Sequence, residues 1–220
     1  KVLVLIDTKM DEAAEQLKDF VQQKRGNKQL IVINTHWHPD HVGGNKYYKG
    51  SGIIAGDYGK DAWVKEAGAE TLPDIWLKDS MHVTVGGDTL LVFNCHRMAH
   101  TGNDVLVYST KRKILFAGDL ILNHQAPVLM GQANGNTYIQ LMDWISEHLE
   151  VNTLVPGHGP VGGRELIQQF KTYLLDMKEA AANSDLESAM IEKYKDWNQI
   201  PFVMSPGATI KHFRTLKEKE

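Results

Sequence analysis

Only one cysteine, Cys95, occurs in 220 residues, so no intrachain disulfide can form and a thiolate-based metal cluster is excluded. A chain this poor in cysteine suits cytosol and periplasm alike, which leaves the redox compartment open. No apolar run approaches the roughly 20 residues that span a bilayer, so a soluble protein with no membrane partner is expected. Neither sign of charge dominates. With 24 Lys and Arg against 27 Asp and Glu, the formal net charge is −3, and no local basic patch stands out, so no nucleic acid partner is expected. Internal repeats and low-complexity linkers are also missing. The chain starts at Lys1 instead of a methionine, which suggests a processed or trimmed form of something longer.

What is present suffices for a sizeable core: 42% of residues are hydrophobic and 23% charged, which rules out disorder and coiled coil. One compact domain over residues 1–220 is expected, with a helical C-terminal segment from about 162 to 220.

Val2 to Ile6 reads as a buried strand. From Met10 to Arg25 the apolar residues Met10, Ala13, Ala14, Leu17, Phe20 and Val21 recur at three and four, the spacing of an amphipathic helix stopped by Gly26 and Asn27. Leu30 to Ile33 is a second strand. Strand, helix, strand within about thirty residues is the crossover unit of an α/β layer. Gly52 to Ala55 and Tyr58 to Ala67 repeat the pattern. The chain then turns β-rich, with short strands expected at Met81 to Val85, Thr89 to Asn94, Val105 to Ser109 and Ile114 to Ala117. Asn136 is the expected N-cap of a helix from Thr137 to Leu149. Thr153 to Val155 is a last strand, and residues from Gly162 to about Tyr194 read as helical. The stretch Leu120 to Asn136 is too long for a turn, and loops of that length tend to be functional. It is expected to line a substrate entrance, with His124 as a polar contact.

The chemistry concentrates in Thr35-His36-Trp37-His38-Pro39-Asp40-His41, directly after the second strand. In open α/β sheets, sites form at the carboxyl ends of strands. Two imidazoles two residues apart can converge on one cation, while Asp40 and His41 project differently and can serve a second. Gly43 and Gly44 directly afterwards suggest a close backbone approach. Trp37 is read as an anchor for the loop. Three more candidates border later strands: His100, Asp119 in Ala117-Gly118-Asp119, and His158 in Pro156-Gly157-His158-Gly159-Pro160. His82, His96, His148 and His212, each isolated, read as ordinary core or surface residues. Cys95 reads as a buried strand-end residue.

With these residues in this order, the sequence resembles the metallo-β-lactamase superfamily, whose signature His-x-His-x-Asp-His is matched by His36, His38, Asp40 and His41. The later family motifs are matched by His100, Asp119 and His158. The resemblance implies an α/β fold, the four-layer αβ/βα sandwich, here without the N-terminal hairpin strands that family members generally carry. That would leave a sheet edge to be covered by residues missing from the chain or by another subunit of a homo-oligomer. It further implies one metal on His36, His38 and His100, a second on Asp40, His41 and His158, and Asp119 bridging the two, with Asp40 and Asp119 the catalytic carboxylates.

Imidazole and carboxylate donors suit Zn²⁺, and also Fe or Mn; two zinc ions per chain are expected. Such a site would use a metal-bound hydroxide to cleave an ester, thioester, lactone or amide bond. Two divalent ions, two carboxylates and a hydroxide leave a net positive charge, which favours an anionic small-molecule substrate. Aspartate at 119 looks like the glyoxalase II, lactonase and general hydrolase branches, whereas the B1 β-lactamases carry a cysteine there and lack the equivalent of His41. No glutathione-binding motif can be matched to Lys171, Tyr173 or Lys178. An iron-dependent oxidoreductase similar to the persulfide dioxygenases is the alternative on the same ligands. Resemblance to exported bacterial hydrolases leans the location towards the periplasm.

Overall fold

The structure is a computed structural model that describes residues 1–96, 99–131, 133–197, 199 and 203–218. In chain order it contains β1 (Val2–Ile6), α1 (Asp11–Arg25), β2 (Gln29–Ile33), α2 (Pro39–Val42), β3 (Ile53–Gly56), α3 (Lys60–Ala67), β4 (Ile75–Leu77), β5 (Ser80–Val85), β6 (Asp88–Asn94), β7 (Val105–Ser109), β8 (Ile114–Gly118), α4 (Gly135–His148), β9 (Thr153–Pro156), α5 (Glu165–Ala182), α6 (Glu187–Lys193) and α7 (Pro206–Lys217). The strands form two sheets, in the orders β1-β2-β3-β4 and β5-β6-β7-β8-β9. Two compact units are distinguished: Lys1–His96 with Asn103–Phe116, and Arg97–Gly102 with Ala117–Glu220.

In the first unit β1, β2, β3 and β4 run parallel, as the helices between them require, with Val2 opposite Gln29 and Ile6 opposite Ile33. Both faces of this sheet are covered, which is why its strands read as unbroken apolar runs. Ile33, Ile54 and Leu77 pack against Val83, Leu90, Val92, Val105 and Val107 of the antiparallel strands. On the other face Leu30, Val32 and Ile53 meet Val21 of α1 and Tyr48. β6 strictly alternates buried with half-buried positions, as a strand with one face on a core should.

In the second unit α4, α5 and α7 supply the core, with Tyr138, Leu141, Met142, Phe170, Tyr173, Leu174 and Ile210 all buried. The Tyr173 hydroxyl shares a hydrogen bond of 2.8 Å with Thr209 Oγ1, and burial pushes its phenol above the usual range. Ser205 caps α7 by accepting from the Ala208 amide, and Pro206 fills the first turn, where no amide proton is needed.

Several boundaries differ from the sequence reading. The cap of α4 is Asn134, not Asn136, because its side chain accepts from the amides of Asn136 and Thr137 at 2.9 and 3.2 Å. The single helix expected from Gly162 to Tyr194 is broken at Asn183, whose side chain accepts from the Asp185 amide and starts a new turn. β4, three residues long, is too short to show periodicity. Cys95 is half-buried, not buried, because it lies just beyond the end of β6, where its amide donates to the Asp104 carbonyl. Residues 120–134 hold no helix or strand among the described residues, as expected for a loop.

Candidate metal centre

The first unit brings His36, His38, Asp40 and His41 together at the carboxyl end of β2. Pro39 opens α2 at a position that tolerates proline, and this four-residue helix lifts Asp40 and His41 from the loop. Trp37 stacks on Tyr58 with ring centroids 4.2 Å apart, which anchors the loop as expected.

One residue the sequence reading passed over organises this cluster. Asp7, the first residue after β1, accepts from the Thr35 amide through Oδ1 at 2.7 Å and from the Thr35 hydroxyl through Oδ2 at 2.8 Å. The same Oδ2 lies 2.8 Å from His41 Nδ1. Because the Thr35 proton is directed to Asp7, its oxygen is the acceptor for His36 Nδ1, 3.1 Å away. Hydrogen-bond logic therefore places the proton on Nδ1 of both His36 and His41 and makes Nε2 the ligating atom of each. His36 Nε2 then faces His38 Nδ1 at 3.0 Å, and His41 Nε2 lies 3.3 Å from Asp40 Oδ2. Asp7 has a φ of 58°, in the left-handed region that aspartate tolerates better than most residues. It is held there by its amide bond to the Ile33 carbonyl. The available signal was a carboxylate at the carboxyl end of a parallel strand. Asp7→Asn should keep the shape, lose one acceptor and weaken metal binding by about 10- to 100-fold, measured by competition with a chromophoric chelator.

In the second unit Asp119 follows β8 and is buried. Its Oδ2 lies 3.5 Å from His100 Nε2 and its Oδ1 lies 3.5 Å from His158 Nε2. Tyr138 from α4 donates its hydroxyl to the Asp119 carbonyl at 2.9 Å, and the Gly157 amide donates to the Gly118 carbonyl at 2.8 Å. Gly157 is required by this closeness: a Cβ there would stand 2.0 Å from Asp119 Oδ1. Asn123 holds the His158 loop through its amide, which donates to the His158 carbonyl, and through Nδ2, which donates to the Pro160 carbonyl at 2.7 Å. His124 is exposed, with a φ of 54°, and packs edgewise on Trp197 with ring centroids 5.6 Å apart.

These donors fit a metal. Two ligands on one tetrahedral zinc with bonds of 2.0–2.1 Å stand about 3.3 Å apart. The 3.0 to 3.5 Å separations within each unit match that spacing. The set is imidazole and carboxylate only, with histidine protons already committed to Asp7 and Thr35 in the first unit.

Fold and donors thus define an α/β protein with a His/Asp cluster able to bind metal. The chain belongs to the metallo-beta-lactamase superfamily, whose family model matches residues 1–158. It is 28% identical over 176 residues to the metallo-beta-lactamase type 2 of Bacteroides fragilis, covering 76% of this chain and 68% of that protein. It is also 26% identical over 244 residues to a beta-lactamase-like protein 2 homolog of Drosophila melanogaster, covering 99% of this chain and 78% of that protein. The chain spans about two thirds of the length of the type 2 β-lactamases it matches. Among solved structures, a metallo-beta-lactamase from Pontibacter korlensis superposes with a TM-score of 0.68 at 25% identity, covering 78% of this chain and 81% of that one. The fold is that of this superfamily, whose members are mostly hydrolases.

Proposed function

We propose that the protein is a dinuclear zinc hydrolase acting on an ester, thioester, lactone or amide bond of a small anionic substrate. His36, His38 and His100 are assigned to one ion, Asp40, His41 and His158 to the second, and Asp119 to both. The observation that carries this reading is Asp119 itself, whose two oxygens each face the Nε2 of a different histidine at 3.5 Å, so that its one carboxylate could serve beside both. A carboxylate here also favours the glyoxalase II-like and general hydrolase branches over the cysteine-bearing β-lactamases.

Bound divalent ions supply Lewis acidity and lower the pKa of a bound water to about 7. The chain's own residues prepare for this. Asp7 and Thr35 accept from Nδ1 of His41 and His36, which leaves Nε2 of each ring as the ligating nitrogen. Asp40 and Asp119 offset only part of the charge of two divalent ions, which leaves the site receptive to a carboxylate or a developing oxyanion. Tyr138 and Gly157 hold Asp119 in place from behind.

Elemental analysis of protein purified without added metal, with a panel of thioester, lactone, β-lactam and phosphoester substrates, tests the reading. About two zinc ions per chain and cleavage of a carbonyl substrate are expected. One iron per chain with no hydrolysis would overturn it in favour of an oxidoreductase.

A further inference from the structure

We propose that Asn45 is a positioning residue that fixes His41 through its backbone, by tying together the chain segments that carry the first unit's site groups; this rests on His41 being a metal ligand. Asn45 is fully buried and sits in the 3₁₀ turn Gly43–Tyr48 that follows α2. Its side-chain amide makes four hydrogen bonds. Oδ1 accepts from the Thr8 hydroxyl at 2.9 Å and from Asn34 Nδ2 at 3.2 Å, while Nδ2 donates to Asn34 Oδ1 at 2.8 Å and to the Thr71 carbonyl at 2.7 Å. Every donor and acceptor position of the amide is thereby used.

The partners are not arbitrary core groups. Thr8 adjoins Asp7, which holds the His41 ring, and Asn34 adjoins Thr35, which holds Asp7 and His36. Both partners also reach the His41 carbonyl. The Thr8 amide donates to it at 2.7 Å, with Thr8 Oγ1 at 3.2 Å and Asn34 Nδ2 at 3.4 Å. The ring of His41 is thus held by Asp7, and its carbonyl by the Thr8 amide and the Asn34 side chain, on two segments that Asn45 locks to each other. Both grips are needed, because an imidazole hydrogen-bonded at Nδ1 can still swing about that bond unless its backbone is fixed. A buried network in which every member is satisfied is stiff, and removing one member leaves the others unsatisfied in a low-dielectric interior.

A purely structural role predicts something different from a positioning role, and the far end of the network separates them. Trp63 Nε1 donates to Thr71 Oγ1 at 2.9 Å, and the hydrogen bonds that hold His41, made by Asp7, Thr8 and Asn34, do not involve Trp63. The experiment measures zinc affinity by chelator competition and metal-free thermal stability for the unaltered protein and for Asn45→Ser, Thr8→Val and Trp63→Phe. Thr8→Val is nearly isosteric, so it gives an answer even if Asn45→Ser does not fold. The expected result is about a 10- to 100-fold weaker zinc site in Asn45→Ser, and a smaller but definite loss in Thr8→Val. Trp63→Phe should bind zinc within about twofold of the unaltered protein at whatever stability it retains. Unchanged affinity in Asn45→Ser or Thr8→Val, or losses in all three variants that simply follow stability, would overturn the positioning role. Absence of zinc uptake by the unaltered protein would overturn the metal reading beneath it, a distinguishable outcome.

Discussion

Asp119→Ala is expected to lower kcat/KM on the hydrolysed substrate by on the order of 10³-fold or more, and to reduce bound metal from two ions to one per chain. The size follows from what the side chain does. A second ion that stabilises developing charge contributes several kcal/mol, and each 1.4 kcal/mol is about tenfold in rate. Asp119 is buried with its two oxygens on two histidines, so alanine removes both attachments at once. Gly157→Ala should approach the same defect without changing any donor, because its Cβ would stand 2.0 Å from Asp119 Oδ1 and displace the carboxylate. Metal content by elemental analysis and steady-state kinetics check both variants; a fully active Asp119→Ala protein with two ions bound would contradict the bridging assignment.

Gly44→Ala is expected to carry a large stability loss. A Cβ at Gly44 would lie 2.2 Å from the Thr8 carbonyl oxygen and 3.0 Å from Ala14 Cβ, and neither a backbone oxygen nor a helix Cβ can rotate away. Relief requires separating the 3₁₀ turn from the end of β1, which breaks the Gly44 amide bond to the Lys9 carbonyl and strains the bonds around Asn45. A cost of about 3 kcal/mol or more follows, or a fall in Tm of roughly 6–12 °C in a chain of this size. Gly26→Ala is the contrast, since nothing lies within 4 Å of its Cβ and only its φ of 50° opposes the change. Thermal unfolding followed by circular dichroism reads both.

The site was legible in the sequence to the extent that its chemistry is local. His36, His38, Asp40 and His41 fall within six consecutive residues, and a dense run of donors after an apolar strand needs no long-range information. Asp7 was not legible, because its partners lie 28 to 34 residues away and a lone aspartate after a strand resembles any turn. Asn45 was hidden for the same reason, and its neighbours Gly43 and Gly44 gave only a hint of close approach. In the fold, α1, β2 and β7 were readable because their apolar spacing is regular. The cap of α4 was not, since Asn134 and Asn136 are equally good cap residues and only the amide positions decide between them. β4 escaped because three residues cannot show a period. The break at Asn183 sits inside a stretch of strong helix formers that conceals the short Asn-Ser-Asp signal.

β1 stands at the edge of its sheet, paired with β2, and all five of its residues are half-buried. Edge elements open locally at a smaller free-energy cost than central ones. Peeling β1 from β2 would release Asp7 and Thr8 in one event, loosening both the ring and the carbonyl of His41. A bound ion would then lose part of its support each time the strand opens. Deuterium uptake at the Thr8 amide, bonded to the His41 carbonyl, reads how often that opening occurs.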